Sequence, residues 1–253
     1  MLSILVYVLL IIAPVIFWLW FFRSQDVYDE EPKAMIFKLF LVWGFLASFF
    51  TISLGLYLDK LLPSFGQVSE SIIFNQNNVL STAIIAGFFF SVIIEEFTKF
   101  IVLWIATYYS RYFTQVMDGV IYGISVALGF AFFENTVYYF VFLSKNLGGM
   151  ELIINVLGRA VGPMIMHLIT TGIVGLYLGR KKFSRDHSNR YVIKGLSIAI
   201  AIHVAFNFSQ LFFDNVFSAV IPIIIVISGV AYLVREISKD ENRMIWKLSF
   251  LRK

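Results

Sequence analysis

Apolar runs of about 20 residues alternate with short polar segments along the whole chain, and a run of that length spans the hydrocarbon core of a bilayer as a helix. The pattern predicts seven transmembrane helices, at about 2–22, 35–58, 81–108, 119–143, 157–179, 195–213 and 216–234. The first run starts at Met1 with no basic segment before it and no small-residue cleavage site before Arg23, which predicts a retained helix rather than a cleaved leader. Between the runs lie an acidic loop at Asp26–Pro32 and a polar connector at Asp59–Leu80, whose Ile72–Phe74 patch is expected to dip into the interface. Gly162-Pro163 predicts a kink in the fifth helix, because proline removes a backbone hydrogen bond. The Gly119/Gly123 and Ser125/Gly129 pairs predict a close backbone neighbour on the fourth. The tail from Arg235 reads as a short amphipathic helix on the membrane surface. No connector leaves room for a water-soluble domain, so the fold class is all-α, a polytopic membrane helix bundle forming one integral domain over 1–253.

Composition agrees: 59% of residues are hydrophobic and 14% charged, where soluble domains carry about 25% charged residues. The absence of cysteine excludes disulfides and thiolate metal sites. Charge placement adds orientation. Of 20 lysines and arginines, 16 fall in the segments that alternation assigns to one side, and only Lys60 and Lys145 fall on the other. Basic loops stay cytoplasmic, so the N-terminus is expected outside and the C-terminus inside, in a prokaryotic inner membrane. The same placement explains the pI of 9.2 through an anionic leaflet and argues against a nucleic-acid partner. No internal repeat is visible, which weakens an inverted-repeat transporter reading.

The candidate chemistry lies inside the apolar runs. Ser91–Trp104, SVIIEEFTKFIVLW, carries Glu95, Glu96 and Lys99, and each charge at the centre of a span opposes insertion by about 2.5–3.5 kcal/mol. Adjacent residues leave a helix about 100° apart, so the two glutamates are expected to differ. Glu95 is read as the residue that activates water, and Glu96 as the partner of Lys99 or of a neighbouring helix. Glu134 in the fourth span, His167 in the fifth, and His203 with Asn207 in the sixth fall at a similar depth, which predicts one shared polar site. Carboxylates with histidines either activate a water by general-base chemistry or hold a divalent metal that does so, and both routes lead to hydrolysis. A zinc site would use His167, His203 and a carboxylate such as Glu134. His203 and Asn207, four residues apart on one face, are candidate donors to an oxyanion. The third histidine, His187, reads as an exposed loop residue. Rival functions are a proton- or cation-coupled transporter or channel, and a non-catalytic membrane scaffold.

Together these residues resemble the PrsW family of intramembrane proteases. Glu95-Glu96-Phe97-Thr98-Lys99 is similar to its EExxK motif, Phe130 to Glu134-Asn135 to its FxxxE motif, and His167 and His203-Val-Ala-Phe-Asn207 to its two histidine motifs, in the same order and on separate spans. Asp26–Pro32, DVYDEEP, resembles the acidic, proline-ended loop after the family's first helix. The resemblance implies kinship with type II CAAX prenyl proteases and Abi proteins, and a polar site open to the cytoplasm or to lipid. It further implies a metalloprotease acting on a membrane-anchored protein substrate, with Glu95, Glu96, Glu134, His167, His203 and Asn207 in the active site. Glu134 stands where the CAAX branch carries histidine, which argues against prenyl-CAAX processing.

Overall fold

Long apolar stretches without competing turn signals fold as helices, since in lipid a helix satisfies its own backbone polar groups. A computed structural model describes the backbone at 2–24, 32–61, 82–212 and 216–251, and side chains at 9–22, 32–58, 60, 85, 87–210 and 220–240. The acidic loop at 26–31 and most of the 59–80 connector, including Ile72–Phe74, lie outside the described residues. Those described form seven helices. Helix α1 is Leu2–Ser24; α2 covers 33–61 as three continuous segments, Lys33–Lys38, a π-helical turn at Leu39–Trp43, and Gly44–Leu61. Then follow α3 (Thr82–Thr107), α4 (Val116–Ser144), α5 (Gly149–Phe183), α6 (Arg190–Phe212) and α7 (Val216–Leu251).

The protein is an all-α polytopic membrane bundle, and among the described residues five helices are long and apolar enough to cross a membrane: Lys33–Leu58, Val116–Ser144, Gly149–Phe183, Arg190–Gln210 and Val220–Asp240. Two of the seven expected spans are not among these five. In α3, Glu95, Glu96 and Lys99 interrupt the apolar stretch, and of α1 only the apolar segment Leu9–Phe22 lies among the described side chains.

Two other expectations change. Helix α5 begins at Gly149, well before residue 157, because Leu152 and Val156 are buried against the core while Glu151 faces outward. The tail continues α7 as one 36-residue helix rather than forming a separate surface helix. Arg180 of α5 fixes this helix where the tail begins, donating to Asp240 at 2.7 Å and Glu236 at 2.8 Å. Helix α5 also runs without a break through Pro163.

Helix α4 is the centre of the bundle, and every residue from Asp118 to Ala131 is buried. Asp118 anchors its start by accepting from the backbone N–H groups of Thr114 at 2.6 Å and Gln115 at 2.9 Å. On one side it meets α5 backbone to backbone: a Cβ on Gly175 would lie 1.9 Å from the Gly119 carbonyl oxygen. On another it meets α2, where a Cβ on Gly129 would lie 2.0 Å from the Phe40 carbonyl oxygen, inside the π-helical turn. Only glycine permits such approaches. Behind these seams, Leu39, Phe100, Leu103, Val126, Phe130 and Val174 from four helices form an apolar layer beneath the polar residues.

Candidate active site

The apolar layer leaves four helices free to turn polar residues toward one another. Glu95 and Glu96 come from α3, Glu134 from α4, His167 from α5 and His203 from α6, and the side chains converge. The centre lies nearer one end of the bundle: at 1.5 Å per residue, Glu134 is about 15 Å from Ser144 along α4 but about 27 Å from Val116.

Glu96 is fully buried and its Oε1 accepts three hydrogen bonds, from Lys99 Nζ at 2.6 Å, His203 Nδ1 at 2.7 Å and Thr170 Oγ1 at 3.3 Å. Lys99, also fully buried, stands 3.1 Å from His167 Nδ1. An ammonium group only donates, so Nδ1 of His167 accepts, and its Nε2–H donates to Glu134 Oε2 at 3.0 Å. Glu134 Oε1 pairs with Arg159 at 3.2 Å. Both oxygens of Glu134 are therefore engaged.

Glu95 differs. Its Oε2, like Oε2 of Glu96, is buried without a hydrogen-bond partner, but it faces Nε2 of His203 across 3.6 Å, a gap too long for a direct hydrogen bond. Because Nδ1 of His203 is committed to Glu96, this Nε2 carries the lone pair. Formal charges sharpen the contrast. Lys99 balances Glu96 and Arg159 balances Glu134, whereas Glu95 has no fixed cation of its own.

Ligand atoms of Glu95, His167 and His203 lie within 4.8 Å of one another and can hold a metal ion. The carboxylate of that trio is Glu95 rather than the expected Glu134, for the reason above: Glu134 is held by Arg159 and His167. The donor set suits zinc. Glu95 offers an unpartnered oxygen, and His203 offers Nε2 with its other nitrogen donating to a carboxylate, the usual support for a metal-bound histidine. His167 joins by giving up one of its two contacts, Lys99 at Nδ1 or Glu134 at Nε2.

Asn207 lies one turn beyond His203, half-buried, and makes no side-chain hydrogen bond to the cluster among the described residues. His187 is exposed in the α5–α6 turn, away from the site. Sequence reasoning missed Arg159 as a site residue, setting it aside with Lys99 as lying in or at a span. The signal was an arginine inside an apolar stretch eight positions before His167, and such residues are rarely incidental in membranes.

Comparison with known proteins agrees with this geometry. The family model described as PrsW family intramembrane metalloprotease matches residues 31–234. The chain is 32% identical over 202 residues to Protease PrsW of Clostridioides difficile, covering 79% of this chain and 77% of that protein. It is 30% identical over 221 residues to Protease PrsW of Halalkalibacterium halodurans, covering 87% and 91%, and 30% over 199 residues to that of Bacillus subtilis, covering 78% and 79%. No solved structure matches. A polytopic bundle with a buried Glu/His/His cluster, matched to bacterial proteases along most of its length, is an integral membrane endopeptidase, and the chain belongs to the PrsW family of intramembrane metalloproteases.

Proposed function

We propose that this protein hydrolyses a peptide bond in or beside the membrane span of another membrane-anchored protein, with a water positioned between Glu95 and His203. The observation that carries this reading is the unpartnered Glu95 oxygen facing the lone pair of His203 across 3.6 Å. A water seated beside this pair, within hydrogen-bond reach of both atoms, would bridge them.

In this reading Glu95 takes the proton as the water oxygen attacks the scissile carbonyl carbon, and later delivers it to the leaving amine. Zinc held by His167, His203 and one oxygen of Glu95 would supply Lewis acidity toward the water and the carbonyl, leaving the other Glu95 oxygen to take the proton. Glu96 acts at one remove, fixing the His203 tautomer and neutralising Lys99. With Nε2 of His203 acting as acceptor or ligand, donation to the oxyanion falls to the Asn207 amide. Glu134 orients His167.

The whole chain, 1–253, acts as one domain with seven spans, its N-terminus outside and C-terminus inside. The basis is the 16-to-2 distribution of basic residues. A reporter fused after Lys253 should report the cytoplasm, and an outer location would overturn the orientation. Glu95, Glu134 and Arg159 are the partly exposed members of the site, and buried residues of α4 close its other side.

The test is cleavage of single-span substrates by purified protein in liposomes. Wild type should cleave and Glu95→Gln should not. Equal cleavage by both would exclude Glu95 as the base.

A further inference from the structure

Arg159 is a membrane-embedded arginine that belongs to none of the motifs named above, yet its surroundings are built around it. Its Nη2 lies 3.2 Å from Glu134 Oε1, its Nε donates to Asn135 Oδ1 at 3.0 Å, and its guanidinium lies 3.4 Å from the ring centroid of Tyr138. Glu134, Asn135 and Tyr138 occupy one stretch of α4, so a single helix supplies an anion, an acceptor and an aromatic face. Guanidinium matches that combination through its planar fork and weak hydration, and an ammonium does not.

The backbone of α5 adds to the fit. Pro163 has no N–H, so the carbonyl four residues earlier, which is that of Arg159, loses its helical partner. Asn135 Nδ2 points at this carbonyl from 3.5 Å, while its Oδ1 holds the Arg159 side chain. One buried amide thus serves both ends of the same residue. Arg159 lies eight positions before His167 on α5, and its pair with Glu134 continues directly into the Glu134 contact with His167 Nε2.

We infer that Arg159 is a positioning residue for the reaction: it anchors one oxygen of Glu134 so that the other directs His167. This rests on the proposed hydrolysis. It excludes two other roles for Arg159, as a contact for substrate and as a packing residue.

The experiment uses the full chain in liposomes with a fluorescence-quenched peptide containing one apolar segment of about 20 residues. Arg159→Ala should lower kcat about 10- to 100-fold, the usual effect of losing a residue that supports a site ligand. KM should stay within about twofold, since only transition-state support is lost. Guanidinium chloride at non-denaturing concentration should restore rate to Arg159→Ala but not to Glu95→Gln, and sodium chloride at equal concentration should restore neither. Arg159→Lys should recover less than guanidinium does.

Thermal unfolding in detergent gives a readout that needs no substrate. Arg159→Ala should destabilise the protein, and adding Glu134→Gln should relieve most of that loss, because the stranded carboxylate is then neutral. An unchanged kcat, a raised KM at unchanged kcat, or a folded Arg159→Ala variant that guanidinium does not restore would each overturn the inference. If wild type leaves the peptide intact, the hydrolysis reading fails for that substrate and the unfolding cycle alone decides: coupled losses support the Arg159–Glu134 role, and additive losses overturn it.

Discussion

Two ionic clusters in this bundle invite comparison. At the C-terminal end of α5, Arg180 joins Glu236 and Asp240 of α7, with Lys239 paired to Glu236, so two cations meet two anions. At the centre, Glu95, Glu96 and Glu134 meet only Lys99 and Arg159. The first cluster is balanced and every charge has its partner, which suits a clamp between helices. The second has one carboxylate in excess, with a bare oxygen facing a histidine. A buried anion without a fixed counter-charge is costly, and such a cost persists where an exchangeable cation or a proton in transit completes the site. The difference separates an ion pair that holds structure from one that does chemistry.

If the excess charge is the working part, its removal should have the largest effect. Glu95→Gln should reduce cleavage about 10³-fold while leaving the protein folded, within the usual contribution of a general base. Single-turnover rates together with circular dichroism check this. Next, a chelator should abolish cleavage and added zinc restore it, with bound zinc measured directly by elemental analysis. His203→Ala should lower zinc content, and full occupancy in that variant would remove His203 from the ligand set. Glu96→Gln should cost less than Glu95→Gln, about 10- to 100-fold, since Glu96 acts through His203. An equal or larger loss in well-folded protein would reverse the roles of the two glutamates.

The smallest expected effect on rate belongs to the balanced cluster. Arg180→Ala should leave cleavage per folded molecule within about twofold, yet lower stability by about 1.5–3 kcal/mol, the range for hydrogen bonds to charged groups. Thermal unfolding in detergent and kcat on the same samples test both halves. A large loss of rate at preserved stability would mean that the two clusters are linked, and the contrast between them would fail.

How much of this was legible in the sequence depends on what each residue opposes. Glu95, Glu96, Lys99 and Glu134 stood out because charge inside an apolar run has no cheap explanation. Helix positions followed from apolar length, and the glycine pairs of α4 foretold close backbone neighbours. Arg159 was hidden because basic residues are ordinary near span ends, and only the fold shows it against Glu134. The partners of Arg180 lie 56 and 60 residues away, a pairing that no local pattern encodes. Likewise, choosing Glu95 over Glu134 for the metal trio needed knowledge of which oxygens were already taken. The extended α7 was missed because hydropathy reports the membrane rather than the helix, and a polar continuation of a helix leaves no mark on it.

The seam between α4 and α5 constrains how a protein substrate gains admission. Where Gly175 and Gly119 meet backbone to backbone, no rotamer change can loosen the crossing. Separation would require whole helices to shift and would expose carbonyl groups to lipid. The seam therefore acts as a fixed hinge post, and breathing motions that admit an unwound segment are assigned to the other walls. Helix α2 is held to α4 by a glycine crossing of the same kind, which leaves charge-bearing α3 as the element able to swing. Amide exchange should accordingly be slowest along 119–123 and 171–175 and faster along α3.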